Sequence, residues 1–397
     1  MQVNNEITFL VGNSDTINST ELTKQPFDDY VIDFLDKLSK FLLKNTSREY
    51  PDVISFAFWC RKSNILNQKN QVSDNFVRKG RGVVFHIAPS NVPVNFAFSF
   101  VFSLLAGNLN NIVKVSSKEF EQVNIICNAI NMVIKDFDEI NKRTSVIRYP
   151  HIDEITNEFS KIADVRMIWG GDSTVNYIKS LETKPRSEDI VFADRFSFCV
   201  INSESINSLS NEKLLELSNS FYNDTFLMDQ NACSSPHLIL FYGNHDESKN
   251  AQTIFWKAIS DFVKNKYNLQ PISLVDKLTN AYSYAIKYQC KIDDSDKKLF
   301  IIYIDKVPND IENLRGNCGF FFQTIISDFT DLKNYVSKKY QTLTYYGFEK
   351  DYLCDLLQKE ELLGIDRIVP IGKSMDIGLI WDGYNLINSL SRIIHFV

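Results

Sequence analysis

A chain of 397 residues with 44% hydrophobic and 23% charged side chains is composed as soluble globular proteins are, and it is long enough for two domains. Its formal charge of −6 argues against a nucleic-acid-binding protein, which presents a basic face. Its 7 cysteines include no C-x-x-C pair and are spread along the chain, which excludes a zinc-ribbon pattern and a disulfide framework and suits a reducing cytoplasm.

The N-terminal segment 1–10 has neither a basic start nor a long apolar core, so no secretory leader is expected. Residues 27–45 carry apolar side chains at helical spacing and read as an amphipathic helix. From 82 onward the chain alternates. Strands are expected at 82–88, 112–116, 145–149, 165–169 and 196–202, with helices at 93–106, 118–137, 152–162 and 174–181 between them. The run 94–106 is the most apolar, yet it falls short of the ~18–20 residues a membrane span needs. Asn95, Ser99 and Ser103 also place a polar or small residue on one of its faces, as a buried helix packed closely on a sheet would. A second alternating set follows, with helices at 206–225 and 246–264 and strands at 237–242, 299–305 and 320–326. Strands alternating with helices predict an α/β fold with mainly parallel sheets. The polar stretch 203–209 marks the expected break between two domains. The 30 Phe and 17 Tyr predict a large aromatic core, or more specifically an apolar channel for a long chain.

Three local features carry chemistry. Lys114 ends an otherwise apolar strand, which is costly unless an anion partners it; the plainer alternative is a lysine snorkelling at a strand end. Asn91 is an amide held in a rigid turn between Pro89 and Pro93, or simply a residue making a turn hydrogen bond. Together they point to a site for a phosphorylated cofactor beside a polar catalytic group. Cys233 lies in the loop Met228-Asp229-Gln230-Asn231-Ala232-Cys233-Ser234-Ser235-Pro236, whereas the other cysteines fall in expected helices, strands or unremarkable loops and read as small buried hydrophobes. His86 closes a buried strand, where it is either a proton donor or a hydrogen-bonded core histidine. His151, His237, His245 and His395 share no convergent spacing with Asp or Cys, so no metal site is expected.

The segment 80–119 resembles the aldehyde dehydrogenase superfamily. That superfamily carries a Pro-Trp-Asn-x-Pro turn, an Ala-Gly-Asn helix end and a Lys-Pro-Ser-Glu strand end. The counterparts here are Pro89-Ser90-Asn91-Val92-Pro93, Ala106-Gly107-Asn108 and Lys114-Val115-Ser116-Ser117. The likeness is closer to the branch of acyl-CoA reductases similar to the bacterial bioluminescence fatty-acid reductase (LuxC-type). That branch has His86-Ile87-Ala88-Pro89 before the turn and a cysteine motif like Asn231-Ala232-Cys233-Ser234-Ser235-Pro236. It also has a tail like Arg367-Ile368-Val369-Pro370-Ile371-Gly372 followed by Trp381-Asp382-Gly383. The resemblance covers the chain from about residue 80 to its end.

The resemblance implies an aldehyde dehydrogenase-like fold of two Rossmann-like α/β domains with the active site between them. It implies a cofactor domain at 1–205, a cysteine domain at 206–364, and part of the tail 365–397 packing on the first. It makes Cys233 the nucleophile and Asn91 a donor to the oxyanion, and His86 is then a candidate donor to the departing thiol or nascent alkoxide. Pro89, Ser90, Lys114, Ser116 and Ser117 are implied around the cofactor, with the turn Gly170-Gly171-Asp172-Ser173 contributing Gly170, Gly171 and Ser173 near its pyrophosphate. Asp172 is read as a helix N-cap rather than a ligand contact. Many NAD-preferring relatives carry Glu where this chain has Ser117, and with Lys114 and Lys118 nearby NADP(H) is the expected cofactor. The Glu-Leu-Gly-Gly motif of oxidising relatives, whose Glu serves the hydrolytic step, is missing from 185–195, which favours reduction of an acyl thioester to aldehyde over aldehyde oxidation. The alternatives are aldehyde oxidation to acid or acyl-CoA, and a non-catalytic subunit that accepts an acyl group. The expected partners are acyl-CoA or an acyl-protein, with an acyl-protein synthetase as a possible donor. A cytoplasmic homo-oligomer is expected.

Overall fold

The fold is that of a computed structural model, which describes residues 6–46, 49–72 and 74–397 apart from the side chain of residue 357. The first five residues of the N-terminal segment read above for a leader lie outside the described residues. The chain forms two compact units, Met1–Asp194 with Gly378–Val397, and Arg195–Ile377.

Seven strands build the first unit before the chain leaves it: β1 (Thr8–Val11), β2 (Val77–Gly80), β3 (Val84–Ile87), β4 (Asn111–Lys114), β5 (Thr144–Arg148), β6 (Val165–Trp169) and β7 (Glu188–Phe192). The main sheet runs β1-β5-β4-β3-β6-β7, with β1 antiparallel at one edge and the rest parallel. β3 and β6 are buried along their whole length, as strands covered by helices on both faces must be. The strand order reverses at β3, whose neighbours are the next strand β4 and the later strand β6. Such a reversal opens a crevice at the carboxyl edge.

The helix Asn95–Leu105 is apolar on every side, and Phe96, Phe98, Phe100, Phe102 and Leu104 are all buried. Gly107 stops it. Its N–H bonds to the Leu104 carbonyl at 2.9 Å, its φ is 91°, and a Cβ there would lie 2.1 Å from the Lys24 oxygen, so only glycine fits. Asn108 then serves as a hub. Its Oδ1 accepts from the N–H groups of Arg81 (2.6 Å) and Gly82 (3.1 Å), and its Nδ2 donates to the carbonyls of Ser103 (3.3 Å) and Leu390 (2.9 Å). The Ala-Gly-Asn ending is therefore architectural. The expected amphipathic helix spans Asp29–Asn45 and buries Val31, Ile32, Phe34, Leu35, Leu38 and Leu42. The tail strand Ser391–Ile394 pairs antiparallel with β2.

The second unit holds β8 (Phe196–Asn202), β9 (Pro236–Tyr242), β10 (Cys290–Asp296), β11 (Leu299–Ile304), β12 (Phe320–Ile326), β13 (Tyr340–Tyr346) and β14 (Arg367–Pro370). They form one sheet in the order β10-β11-β12-β9-β8-β13-β14, parallel except for β10. Alternate residues feed two cores. Phe198, Val200, Leu238 and Leu240 face one, and Cys199, Ile201, Ile239 and Phe241 face the other.

Three expectations differ from these elements. β8 does not close the first domain; it pairs with β9 and β13 at the centre of the second sheet, so the boundary falls between Asp194 and Arg195. The polar stretch 203–209 is the connection that follows β8, a short helix over Ser203–Asn207 capped by Asn202 and the link after it. β14 pairs with β13, which places residues 365–377 in the second unit and leaves Gly378–Val397 with the first. The single helix expected at 206–225 is two helices, Ser203–Asn207 and Asn211–Asp224, because the Ser210 side chain caps the second.

Candidate active site

Three of the expected segments leave one edge of the first sheet. Ile87 is in register with Lys114 on one side and with Ile168 on the other, so β3, β4 and β6 end level. The turn through Pro89, Ser90 and Asn91 follows β3, the stretch through Ser116 and Ser117 follows β4, and Gly170–Ser173 follows β6. All lie at the carboxyl edge around the reversal of strand order. Ser90 and Asn91 are exposed, and Pro89 is half-buried.

Lys114 is half-buried, with its Nζ 4.9 Å from the centroid of the Tyr149 ring. Burial pulls its pKa below the usual lysine value, and no carboxylate pairs with it among the described residues. This is a cation lacking an anion. Beside it, Ser117 Oγ donates to the Tyr149 carbonyl at 3.3 Å, and Ser116 Oγ accepts from the Lys118 N–H at 3.1 Å. Arg148, at the end of β5, donates from Nε to the Ser116 carbonyl at 3.2 Å. Lys114 and Lys118 thus border this strand end, with Arg148 beside them paired to Glu119 at 3.3 Å.

The helix Asp172–Ser180 begins behind the Gly170-Gly171 turn, and its N-cap is Gly171 with no side-chain cap. Asp172 is the first helical residue; its carboxylate accepts from the Asp194 N–H at 3.3 Å instead of capping. A Cβ on Gly171 would meet nothing within 4 Å, so the space over this helix start is open. Ser173 is exposed in the first turn.

His86 is fully buried within a continuous polar thread. Trp169 Nε1 donates to Ser99 Oγ (3.1 Å), Ser99 Oγ lies 2.8 Å from His86 Nδ1, and His86 Nε2 lies 3.0 Å from Asn111 Oδ1. Asn111 Nδ2 donates in turn to the Asn108 carbonyl at 2.9 Å. One proton arrangement satisfies the thread: Nε2 carries the hydrogen and Nδ1 accepts from Ser99. Desolvation lowers the His86 pKa to about 4, so the ring is neutral. With both nitrogens engaged it has none to offer a substrate, and the proton-donor reading gives way to that of a core histidine. Of the polar or small positions on the apolar helix, Ser99 belongs to this thread.

The segment 185–195 forms β7, and its carboxylates are tied up. Glu188 pairs with Arg81 at 2.6 Å. Asp189 takes a bidentate pair from the buried Arg166, at 2.6 and 2.7 Å, while Arg166 also donates to the Ile178 carbonyl.

In the second unit, Cys233 is half-buried where the parallel strands begin. The helix Asn211–Asp224 leads through the short turn Phe226–Met228 into two consecutive left-handed residues, Asp229 (φ 53°) and Gln230 (φ 57°). Each costs roughly 1–2 kcal/mol outside glycine, so the surroundings must hold them. Gln230 is buried and makes four side-chain bonds. Its Oε1 accepts from the N–H groups of Gly319 (2.7 Å) and Phe320 (2.8 Å), and its Nε2 donates to the carbonyls of Phe320 (3.1 Å) and Pro236 (3.3 Å). The Tyr267 hydroxyl donates to the Asp229 carboxylate, and the Cys318 N–H donates to the Asp229 carbonyl at 3.1 Å. A turn closed by the Ser235 N–H on the Ala232 carbonyl (2.9 Å) carries Cys233, whose own carbonyl accepts from Ser197 Oγ at 2.6 Å. Next to the loop, His237 is buried against the Phe196 ring, and burial lowers its pKa to about 3, so it is neutral. Cys60, Cys127 and Cys199 are buried, and desolvation pushes their thiols up, to about 12 for the latter two.

Gln230 is the residue that sequence reasoning passed over. Only its place three positions before the cysteine hinted at it. An open depression of about 470 Å³, lined by Ser205, Ser208, Tyr346 and Phe348 among others, lies at the opposite edge of the same sheet and plays no part at Cys233. Among the described residues, no group of three metal-ligating side chains is placed to hold an ion, and no helix is long and apolar enough to cross a membrane.

The family model described as Acyl-CoA reductase (LuxC) matches residues 62–393. Among solved structures, the chain is similar in fold to an NAD-dependent benzaldehyde dehydrogenase from Corynebacterium glutamicum (11% identity, TM-score 0.60, 93% of this chain and 85% of that one). It is likewise similar to the Delta-pyrroline-5-carboxylate dehydrogenase from Mycobacterium tuberculosis bound with NAD and cobalamin (12%, 0.61, 96% and 80%). An indole-3-acetaldehyde dehydrogenase complexed with NAD+ is a third (10%, 0.61, 92% and 83%). No curated protein matches the sequence. At these identities the structural likeness establishes the fold, which is that of the aldehyde dehydrogenases.

Proposed function

Because the chain belongs to the acyl-CoA reductase (LuxC) family, we propose that it reduces an acyl thioester to an aldehyde through an acyl group carried on Cys233, with NADP(H) as reductant. The observation that carries this reading is the clamped loop. A strained left-handed pair, held by four bonds from Gln230, presents a partly accessible cysteine.

The first unit fits the cofactor. Lys114 is a partly buried cation without a carboxylate, Gly171 leaves open space over a helix start, and both lie at the crevice edge. Lys114, Ser117, Lys118 and Arg148 would receive a 2′-phosphate, since no carboxylate occupies the Ser117 position to repel it. Pro89, Ser90 and Ser116 shape the adjoining edge, while Gly170, Gly171 and Ser173 would accommodate the pyrophosphate. When bound, the nicotinamide supplies the hydride that converts the Cys233 thioester to aldehyde.

The chain's own residues do the rest. The Cys233 thiolate attacks the acyl carbonyl, the new C–S bond forms, and the CoA thiolate leaves. The Asn91 amide and the Cys233 N–H donate to the oxygen that becomes negative, each such donor typically contributing ~10²–10³ in rate. After reduction the C–S bond breaks and Cys233 departs as thiolate. Glu188 and Asp189, held by Arg81 and Arg166, do not serve as a base for water, so the acyl group persists until it is reduced.

The test is intact-protein mass spectrometry after exposure to acyl-CoA, paired with NADPH consumption. The parent gains one acyl group and oxidises NADPH; Cys233→Ala does neither, yet still binds NADPH. An adduct that persists in the Ala variant moves the chemistry to another cysteine. Rapid release of free acid without NADPH makes the protein a hydrolase.

A further inference from the structure

β14 runs into a loop, 372–376, that charged side chains hold from both sides. Arg367 takes its carbonyls. Nη1 donates to that of Ser374 (2.9 Å), and Nη2 to those of Lys373 (3.2 Å) and Asp376 (3.0 Å). Asp224 takes its N–H groups. Oδ2 accepts from Gly372 (2.6 Å) and Oδ1 from Ser374 (2.9 Å). A guanidinium only donates and a carboxylate only accepts, so each suits the backbone groups turned toward it. Gly372 lets the loop lie on the helix Asn211–Asp224. Its φ is 96°, and a Cβ there would stand 2.8 Å from that of Ser220.

Asp224 is 1% exposed. Burial pushes its pKa up to about 6, while the Gly372 and Ser374 N–H groups pull the other way. The charged groups around it give little relief. Asp376, on the loop, raises the pKa further and is paired with Lys373 at 2.9 Å. Arg367, on β14, points its guanidinium at the loop carbonyls. Cys199, on β8, is a thiol pushed up by burial and also by the Asp224 charge. With the folded pKa above the ordinary 3.8, the carboxyl favours the fold most below pH 3.8, and that contribution is lost as pH rises through about 6. At neutral pH the charge weighs against the fold, so stability does not account for it.

The loop carries Met375 to the cysteine. Met375 is half-buried, and its Sδ accepts from the hydroxyl of Ser234, the neighbour of Cys233, at 3.6 Å. Asp224 also closes the helix that leads into the cysteine loop. We propose that Asp224 is a positioning residue for Cys233, acting through the loop 372–376, which it and Arg367 hold so that Met375 braces Ser234. The inference rests on Cys233 as the acyl carrier. The brace needs the ionised carboxylate. Protonation, or Asp224→Asn, turns one acceptor into a donor that faces an N–H, and the loop is released.

Single-turnover acylation of the full chain by acyl-CoA, read by intact-protein mass spectrometry from pH ~5 to ~8, tests this. Asp224→Asn should slow acylation by roughly tenfold or more at pH ~7.5, with circular dichroism and NADPH affinity as in the parent. Below pH ~6 the parent rate should fall more steeply than the Cys233 thiolate fraction, which drops about tenfold per pH unit, whereas the Asn variant should follow that fraction alone. Met375→Ala should reproduce the slowing, and Met375→Leu, close in volume, should not. If Asp224→Asn does not fold, the parent pH profile and the two Met375 variants decide. The same profile is taken by iodoacetamide alkylation of Cys233, located by peptide mapping, which needs no acyl substrate. A parent that gains no acyl group but alkylates with the steeper fall removes the acyl-thioester reading and leaves the brace standing. A folded Asn variant that reacts at the parental rate overturns the brace. So does a parent profile that follows the thiolate fraction alone, or a Met375→Ala variant as fast as the parent.

Discussion

Gln230 gives the sharpest test of how the second unit presents its cysteine. In Gln230→Ala the N–H groups of Gly319 and Phe320 lose their acceptor inside the protein, and the Pro236 and Phe320 carbonyls lose a donor. At about 1–3 kcal/mol for each orphaned buried donor, the two N–H groups alone account for roughly 2–6 kcal/mol. For a unit of this size that is a fall in melting midpoint of roughly 4–24 °C. The left-handed backbone at 229–230 then has less to hold it, so single-turnover acylation by acyl-CoA should slow by at least roughly tenfold, the effect of a small misplacement of a reacting group. NADPH affinity should be unchanged, because the cofactor residues belong to the other unit. Gln230→Glu separates the two halves of the clamp: it can accept from both N–H groups and donate to neither carbonyl, and should fall between parent and Ala. Calorimetry and quenched-flow mass spectrometry read the two effects. If the Ala variant melts within about 1 °C of the parent and acylates at the parental rate, the clamp does not position Cys233.

Two other outcomes are expected. NADPH should bind about ten- to a hundredfold more tightly than NADH through charge-assisted bonds to the 2′-phosphate, and Ser117→Glu should erode that preference by repulsion; equal affinities in the parent, by isothermal titration, contradict it. His86 should make the first unit sensitive to acid. Its folded pKa of about 4 lies below the ordinary 6.5, so the unfolded chain binds the extra proton first. The stability contribution is complete above pH ~6.5 and is lost as pH falls toward ~4, by about 3 kcal/mol. Urea titrations of the parent and His86→Gln should converge in that window as pH drops; a constant difference between pH 7 and pH 4.5 would falsify the buried neutral ring.

The α/β alternation was legible because β3, β4 and β6 are short apolar runs that any pairing would bury. The gathering of Asn91, Lys114 and Gly171 at one edge followed from that alternation together with the strand order. Pairing itself was less legible. β8 is as apolar as a first-domain strand would be, and only its hydrogen bonds to β9 and β13 assign it to the second sheet. β10, with the sequence CKIDDSD, has no strand pattern and exists because β11 offers it an edge. Cys233 stood out by its loop. Gln230 did not, because a left-handed glutamine and its partners some ninety residues away leave no local trace. His86 carried two readings, and burial decided between them.

The first unit is discontinuous, and Asn108 is where the discontinuity is sewn shut. Its amide reaches the Leu390 carbonyl across 282 residues, Arg81 reaches Ser389 across 308, and β2 pairs with the tail strand Ser391–Ile394. Arg195–Ile377, by contrast, is one uninterrupted piece. The second unit can close from its own contiguous residues, while the first keeps an open strand edge at β2 and an unanswered amide at Asn108 until residues 378–394 return to it across the whole sequence of the other unit. The cost of closing a long loop therefore falls on the unit that would hold the cofactor and not on the cysteine unit. A chain cut between 377 and 378 keeps the whole of the second unit but leaves β2 without its tail partner, an edge open to pairing with another chain.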